Sequence, residues 1–213
     1  MKITIHEDDD ATADFHVHKA LLSGRSAYFA ALIDFREGKE NTVKFVGMNI
    51  HAFRYVLTWL YQTSIEVLQS DVDTMIRAYA IADRLVISAL KDTIVDNVQT
   101  FYQTNEVEAH SLYIAKELGL LVTDQLMLFM IDMTAYQVAT YTTDLSELHW
   151  LVTEIKRFLQ DGGEIALGIM EKVLHNLRMA LDDAKRRSGK AKDPSRLKGC
   201  QYHDHEEGRC HRI

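Results

Sequence analysis

Apolar residues recur along this chain with two different periods. In Lys2-Ile3-Thr4-Ile5-His6 they fall at every second position, and the same alternation returns in Thr42-Val43-Lys44-Phe45-Val46. That period predicts strands. Asp14 to His18, with Phe15 and Val17, reads as a further strand that closes a hairpin with the first, and the acidic run Glu7 to Asp10 reads as the turn between them. His18 to Gly24 and Ser26 to Ile33 read as two short helices, the second opened by a serine whose hydroxyl can cap the free amides of the first turn. Beyond Asn49, a good helix cap, Phe53, Val56, Leu57 and Leu60 sit at i, i+3, i+4 and i+7, which makes one apolar helix face. Asp71 caps the next helix, with Val72, Met75, Ile76 and Tyr79 inward; after Leu85-Val86-Ile87 another carries Leu90, Ile94, Val98 and Phe101. Phe15, Val17, Phe29, Phe53, Leu57, Leu60 and Ala82 are the expected core.

From Asn105 the strand period disappears. Val107 to Leu118, Thr123 to Tyr141, Leu145 to Gln160 and Glu164 to Leu181 all have helical spacing. Leu148, Leu151, Val152, Ile155, Phe158 and Leu159 form one stripe; Ile165, Ile169, Met170, Val173, Leu174 and Leu177 form another. Both stripes read as core packing. After Leu181 the pattern gives way to Lys185-Arg186-Arg187-Ser188-Gly189-Lys190-Ala191-Lys192-Asp193-Pro194, a basic stretch broken by glycine and proline. It reads as a flexible linker, with nuclear import or a phosphate contact as the other uses of such a run. Strands followed by helix pairs give an α+β class.

Composition adds three points. The single proline suits a mostly helical chain. The N-terminus carries no apolar signal-like region and no apolar run is long enough to span a bilayer, so no membrane association is expected. Both cysteines, Cys200 and Cys210, lie in the last fourteen residues, which is no disulfide framework and favours an intracellular setting, cytoplasmic or nuclear. The net charge of −7 is uneven: residues 183–213 carry nine Lys/Arg against five Asp/Glu, which leaves the body at −11. An acidic body is a poor nucleic-acid binder.

The stretch Phe15-His16-Val17-His18-Lys19-Ala20-Leu21-Leu22, followed by Ser26-Ala27-Tyr28-Phe29, resembles the core of a BTB/POZ domain, whose members commonly read F-x-V-H-K-x-x-L-x-x-x-S-x-x-F. The resemblance continues through Phe53…Trp59-Leu60-Tyr61 and Ala80-Ile81-Ala82-Asp83-Arg84-Leu85. It implies an α+β domain over residues 1–100, a three-stranded sheet with helical hairpins. Residues 101–182 then take the place of the helical extension that follows many such domains, BACK-like at most, and 183–213 form a flexible basic tail with a Cys/His cluster. The layout looks most like the compact BTB proteins abundant in filamentous fungi. The resemblance implies an interaction module rather than a catalyst, and a structural role for His18 at a strand–helix junction. Two departures stand out. Ala27 replaces a common proline, and the segment that long-form members exchange between subunits is missing before the first strand, so weak self-association is expected.

Candidate chemistry is sparse. No nucleophile elbow, phosphate loop, dinucleotide fingerprint or H-E-x-x-H motif occurs, so no catalytic residue is assigned. Phe35-Arg36-Glu37 follows the second helix, where BTB adaptors that recruit cullin-type ubiquitin ligase scaffolds carry an apolar-x-Glu motif. An exposed apolar anchor beside a carboxylate suits a partner contact; the plainer alternative is local packing by Phe35 with a solvated Glu37. Cys200, His203, His205 and Cys210 have the two thiols and two imidazoles that a tetrahedral zinc site takes, with His211 spare and a disordered His-rich end as the alternative. The functional expectation is a protein-binding adaptor, with recruitment of clients to a cullin-type ubiquitin ligase as what the motif implies. The alternatives are a transcription-associated BTB dimer and, last, an enzyme with an unrecognised site.

Overall fold

A computed structural model describes residues 1–8, 10–34, 41–62, 71–105, 108–141, 156, 160, 163–186, 192–197 and 199–203. The chain divides into two compact units, Met1–Ile94 and Val95–Ile213.

The first unit is built on three strands, β1 (Lys2–His6), β2 (Thr12–His16) and β3 (Thr42–Val46), in the order β2-β1-β3. β1 pairs with β2 antiparallel, Lys2 opposite His16, and with β3 parallel, Lys2 opposite Thr42. The hairpin matches the expected one, but β2 begins two residues earlier and ends at His16. A parallel pair needs a long crossover. Here α1 (Lys19–Arg25) and α2 (Ala27–Asp34) lie within it. The central strand buries Ile3, Thr4 and Ile5, and Phe29, Phe45 and Phe53 pack beside it. Of the expected core, Val17, Phe29, Phe53, Leu60 and Ala82 are buried, whereas Phe15 and Leu57 are only half covered.

Three side-chain caps fix the helix starts. Ser26 closes α1 and opens α2: its hydroxyl accepts from the Phe29 amide at 3.2 Å and donates to the Leu85 carbonyl at 2.6 Å, fully buried. Asn49 Oδ1 accepts from Ala52 N at the start of α3 (Ile50–Gln62). Asp71 accepts from Thr74 N ahead of α4 (Val72–Arg84). Each cap satisfies an amide that the first helical turn leaves unpaired.

α4 ends in a tight turn before α5 (Ser88–Phe101). The Ile87 amide donates to Ala82 O and the Val86 amide to Asp83 O, while Val86 stands at φ +54°. This position of a helix stop favours glycine, because the left-handed backbone crowds a Cβ. Gly119 (φ +77°) occupies the same position after α6 (Ala109–Glu117). At Val86 the chain uses a β-branched residue instead, 53% exposed between buried Leu85 and Ile87.

In the second unit α7 (Gln125–Tyr141) is buried on most of its circumference, through Leu126, Met127, Phe129, Met130, Ile131 and Met133. α8 (Glu164–Arg186) lies against it so closely that a Cβ on Gly168 would meet Ile131 at 3.4 Å. The expected stripe on this helix is split. Ile165 and Ile169 are buried, but Met170 and Leu174 face outward, because among the described residues α7 covers only one side of this helix. The helix expected over 145–160 and its stripe lie, apart from two isolated positions, outside the described residues.

Two substitutions should shift the first unit in opposite directions. Ser26→Ala strands a buried carbonyl and removes a cap, and should cost about 2 kcal/mol. Val86→Gly relieves the left-handed valine and should add about 1 kcal/mol. Urea unfolding of both variants against the parent chain measures the pair.

Candidate functional site

Phe35, Arg36 and Glu37 lie outside the described residues, and the structure fixes only what frames them. On one side is α2, held by the Ser26 cap with Phe29 and Leu32 buried. On the other is Asn41, at φ +57°, whose carbonyl accepts from the Lys2 amide at 2.7 Å where the chain enters β3. The segment 35–40 thus leaves a helix and returns to an edge strand, both anchored in the core.

A surface cavity of about 300 Å³ in the same unit is lined by Glu7, Asp8, Gly47, Met48, Asn49 and Arg77. Its Glu7 carboxylate does structural work. Glu7 Oε1 accepts from Asn49 Nδ2 at 2.7 Å and from the Ile50 amide at 2.9 Å, so it is a second cap on α3. His18, at the N-terminal cap position of α1, is exposed, with its Nδ1 3.0 Å from the Tyr61 hydroxyl. Asp14 is held below the usual carboxylate range by hydrogen bonds from Thr4 and Lys2.

The proposed metal ligands divide. His205 and Cys210 lie outside the described residues. Cys200 is disulfide-bonded, a state in which its sulfur is no thiolate. His203 has Nε2 2.9 Å from Asp96 Oδ1, on a side chain almost withdrawn from solvent. Among the described residues no group of three or more His, Cys, Asp or Glu side chains is placed to hold a metal ion.

Residues 192–197 and 199–203, expected within a flexible tail, are packed in the second unit. Asp193 caps a single 3₁₀ turn, Pro194–Arg196, by accepting from Ser195 N. Gln99 Nε2 donates to Pro194 O and Gln103 Nε2 to Ser195 O. Tyr202 is buried with its ring 5.3 Å from Phe129, and its hydroxyl donates to Asp132 Oδ2 at 2.8 Å. Lys172 holds the other oxygen of Asp132 at 2.8 Å. Local composition marked this stretch as linker, whereas its partners lie 70 to 107 positions away. The one local signal was Asp193-Pro194, a cap followed by the residue best suited to a first turn.

Burial pushes the Tyr202 phenol far above its ordinary value, and the Asp132 carboxylate adds to the effect. A phenol whose folded pKa is raised stabilises the fold fully below the unfolded value, about 10, and loses that contribution as pH climbs above it. The packing of 192–203 should therefore loosen above about pH 10. Tyr202→Phe should weaken it at neutral pH and flatten that alkaline dependence; hydrogen exchange across 192–203 at pH 7 and pH 11 reads both.

Residues 3–102 match the family model of the BTB/POZ domain. No curated protein matches the chain. The three-stranded sheet with its helices, followed by further helices, is that domain and its continuation, and the domain is a protein-interaction module.

Proposed function

We propose that this chain, whose residues 3–102 form a BTB/POZ domain, is an adaptor that docks a cullin-type ubiquitin ligase scaffold through that domain and offers its C-terminal helical unit to a client. The observation that carries the reading is the domain itself, an interaction fold followed along the chain by a second compact unit. The sequence supports the scaffold contact at Phe35-Arg36-Glu37, directly after α2. Phe35 would supply the desolvated apolar anchor and Glu37 the charge that sets orientation. The binder reading is favoured over catalysis by the domain class.

Titration of the purified chain with a cullin N-terminal region tests this. Phe35→Ala should weaken binding by about 10-fold or more, the scale of an interface anchor. Glu37→Lys should weaken it through charge reversal, with a larger loss at low salt. A double variant that binds as the parent does removes the motif assignment; a parent chain that does not bind removes the cullin reading and leaves the BTB domain to another partner, such as transcription machinery.

Zinc at Cys200, His203, His205 and Cys210 is the cofactor proposal. It requires a reduced Cys200 and the release of His203 from Asp96. Metal analysis of chain purified under reducing conditions with added zinc should then give about one zinc per chain, lost on Cys200→Ser with Cys210→Ser. Metal-free protein ends it.

A further inference from the structure

Helix α8 has two apolar sides, and the described residues cover one. Ile165, Ala166 and Ile169 are buried, Gly168 lies against Ile131, and Lys172 reaches Asp132. At about 100° per residue, Leu174 stands about 180° around the helix from Ile165. On that far side Leu167 is 60% exposed, Met170 43% and Leu174 60%. Scattered exposed apolar residues are normal, but three at i, i+3 and i+7 on one helix are not scatter. The sequence carries the same spacing onward through positions 177 and 181, both leucine, to Ala184. Positions 167, 170, 174, 177, 181 and 184 are thus the a and d sites of three heptads.

The charges beside this seam select its occupant. Glu164, Glu171, Arg178 and Lys185 recur every seven residues at the e site, acidic in the first half of the helix and basic in the second. Glu171 and Arg178 are exposed. In a parallel pair the e sites would face g sites, here Ala166, Val173 and Ala180, and the charges would find no match. Reversed against a second copy, Glu171 comes beside Arg178, and twofold symmetry makes the contact twice. The helix is complementary to itself turned end for end.

We propose that α8 is a self-association surface: two copies of the chain pair antiparallel through the Leu167–Met170–Leu174 seam, with Glu171 of each copy against Arg178 of the other. Three heptads are near the lower limit for a coiled coil, so the association is reversible and concentration-dependent. It is separate from any contact made by the BTB domain, and it presents two BTB domains in one assembly.

Sedimentation equilibrium on the full chain from about 1 to 200 µM tests this, with circular dichroism as the control for folding. The parent should show a reversible association step. Glu171→Arg and Arg178→Glu should each weaken it by about 10-fold, since each sets two like-charged contacts across the seam. Combining them restores opposite charges and should bring the constant back to within about 2-fold of the parent. Leu174→Glu should abolish the step; if that variant misfolds, the charge swaps decide alone. The proposal is overturned by a parent that stays monomeric, by swaps that leave the step unchanged, or by a double variant no better than the singles. A monomeric parent whose thermal midpoint drops with Leu174→Glu would mean instead that the seam is covered within its own chain.

Discussion

The Ser26 hydroxyl gives its proton to the Leu85 carbonyl and takes one from the Phe29 amide, out of reach of water. Much of the first unit hangs on that one group. It ends α1, begins α2, and ties both to the turn between α4 and α5, 59 positions on. A buried carbonyl deprived of its donor costs more than an ordinary hydrogen bond contributes, so the contact is enforced from both ends. With α2 fixed, Phe29 lands against Phe45.

The second unit relies on a different device. Phe129 of α7 sits between Tyr102 and Tyr202, and Asp132, one turn along, accepts from Tyr202 while Lys172 of α8 holds its other oxygen. Lys172 takes one oxygen of this carboxylate, and the other accepts from the phenol at the edge of an apolar site. Gln99 and Gln103, four apart on successive turns, take the two carbonyls of the Pro194 turn. Hydrophobic burial and backbone satisfaction coincide, and a stretch poor in apolar residues becomes ordered.

Local order was legible and long-range order was not. The strand alternation, the caps at Ser26, Asn49 and Asp71, and the apolar faces of α3 and α4 are written in neighbouring residues, and the structure follows them. β2 slid by two residues because its register is set by pairing with β1 rather than by its own pattern. The half-exposure of Leu57 has the same origin: helical spacing names a face but not its width. Val86 gave no sign of a left-handed turn, since glycine is the residue that announces one. α8 misled through having two faces, its apolar periodicity being equally consistent with one broad core stripe. The packed segment 192–203 was missed because Tyr202 and His203 meet partners far away in sequence. Of the candidate site, the motif at 35–37 could be read only through resemblance, and its framing by α2 and Asn41 came from the fold.

The closure of the second unit by Tyr202 and His203 has a consequence during synthesis. α5 and α7 leave the ribosome early, and Tyr102 and Phe129 come with them. The ring that completes their site, Tyr202, follows about a hundred residues after Tyr102. Until then an apolar aromatic surface is open to solvent, the condition under which nascent chains attract chaperones or one another. A chain cut between α8 and Tyr202 would keep α5, α6, α7 and α8 and still carry that open surface.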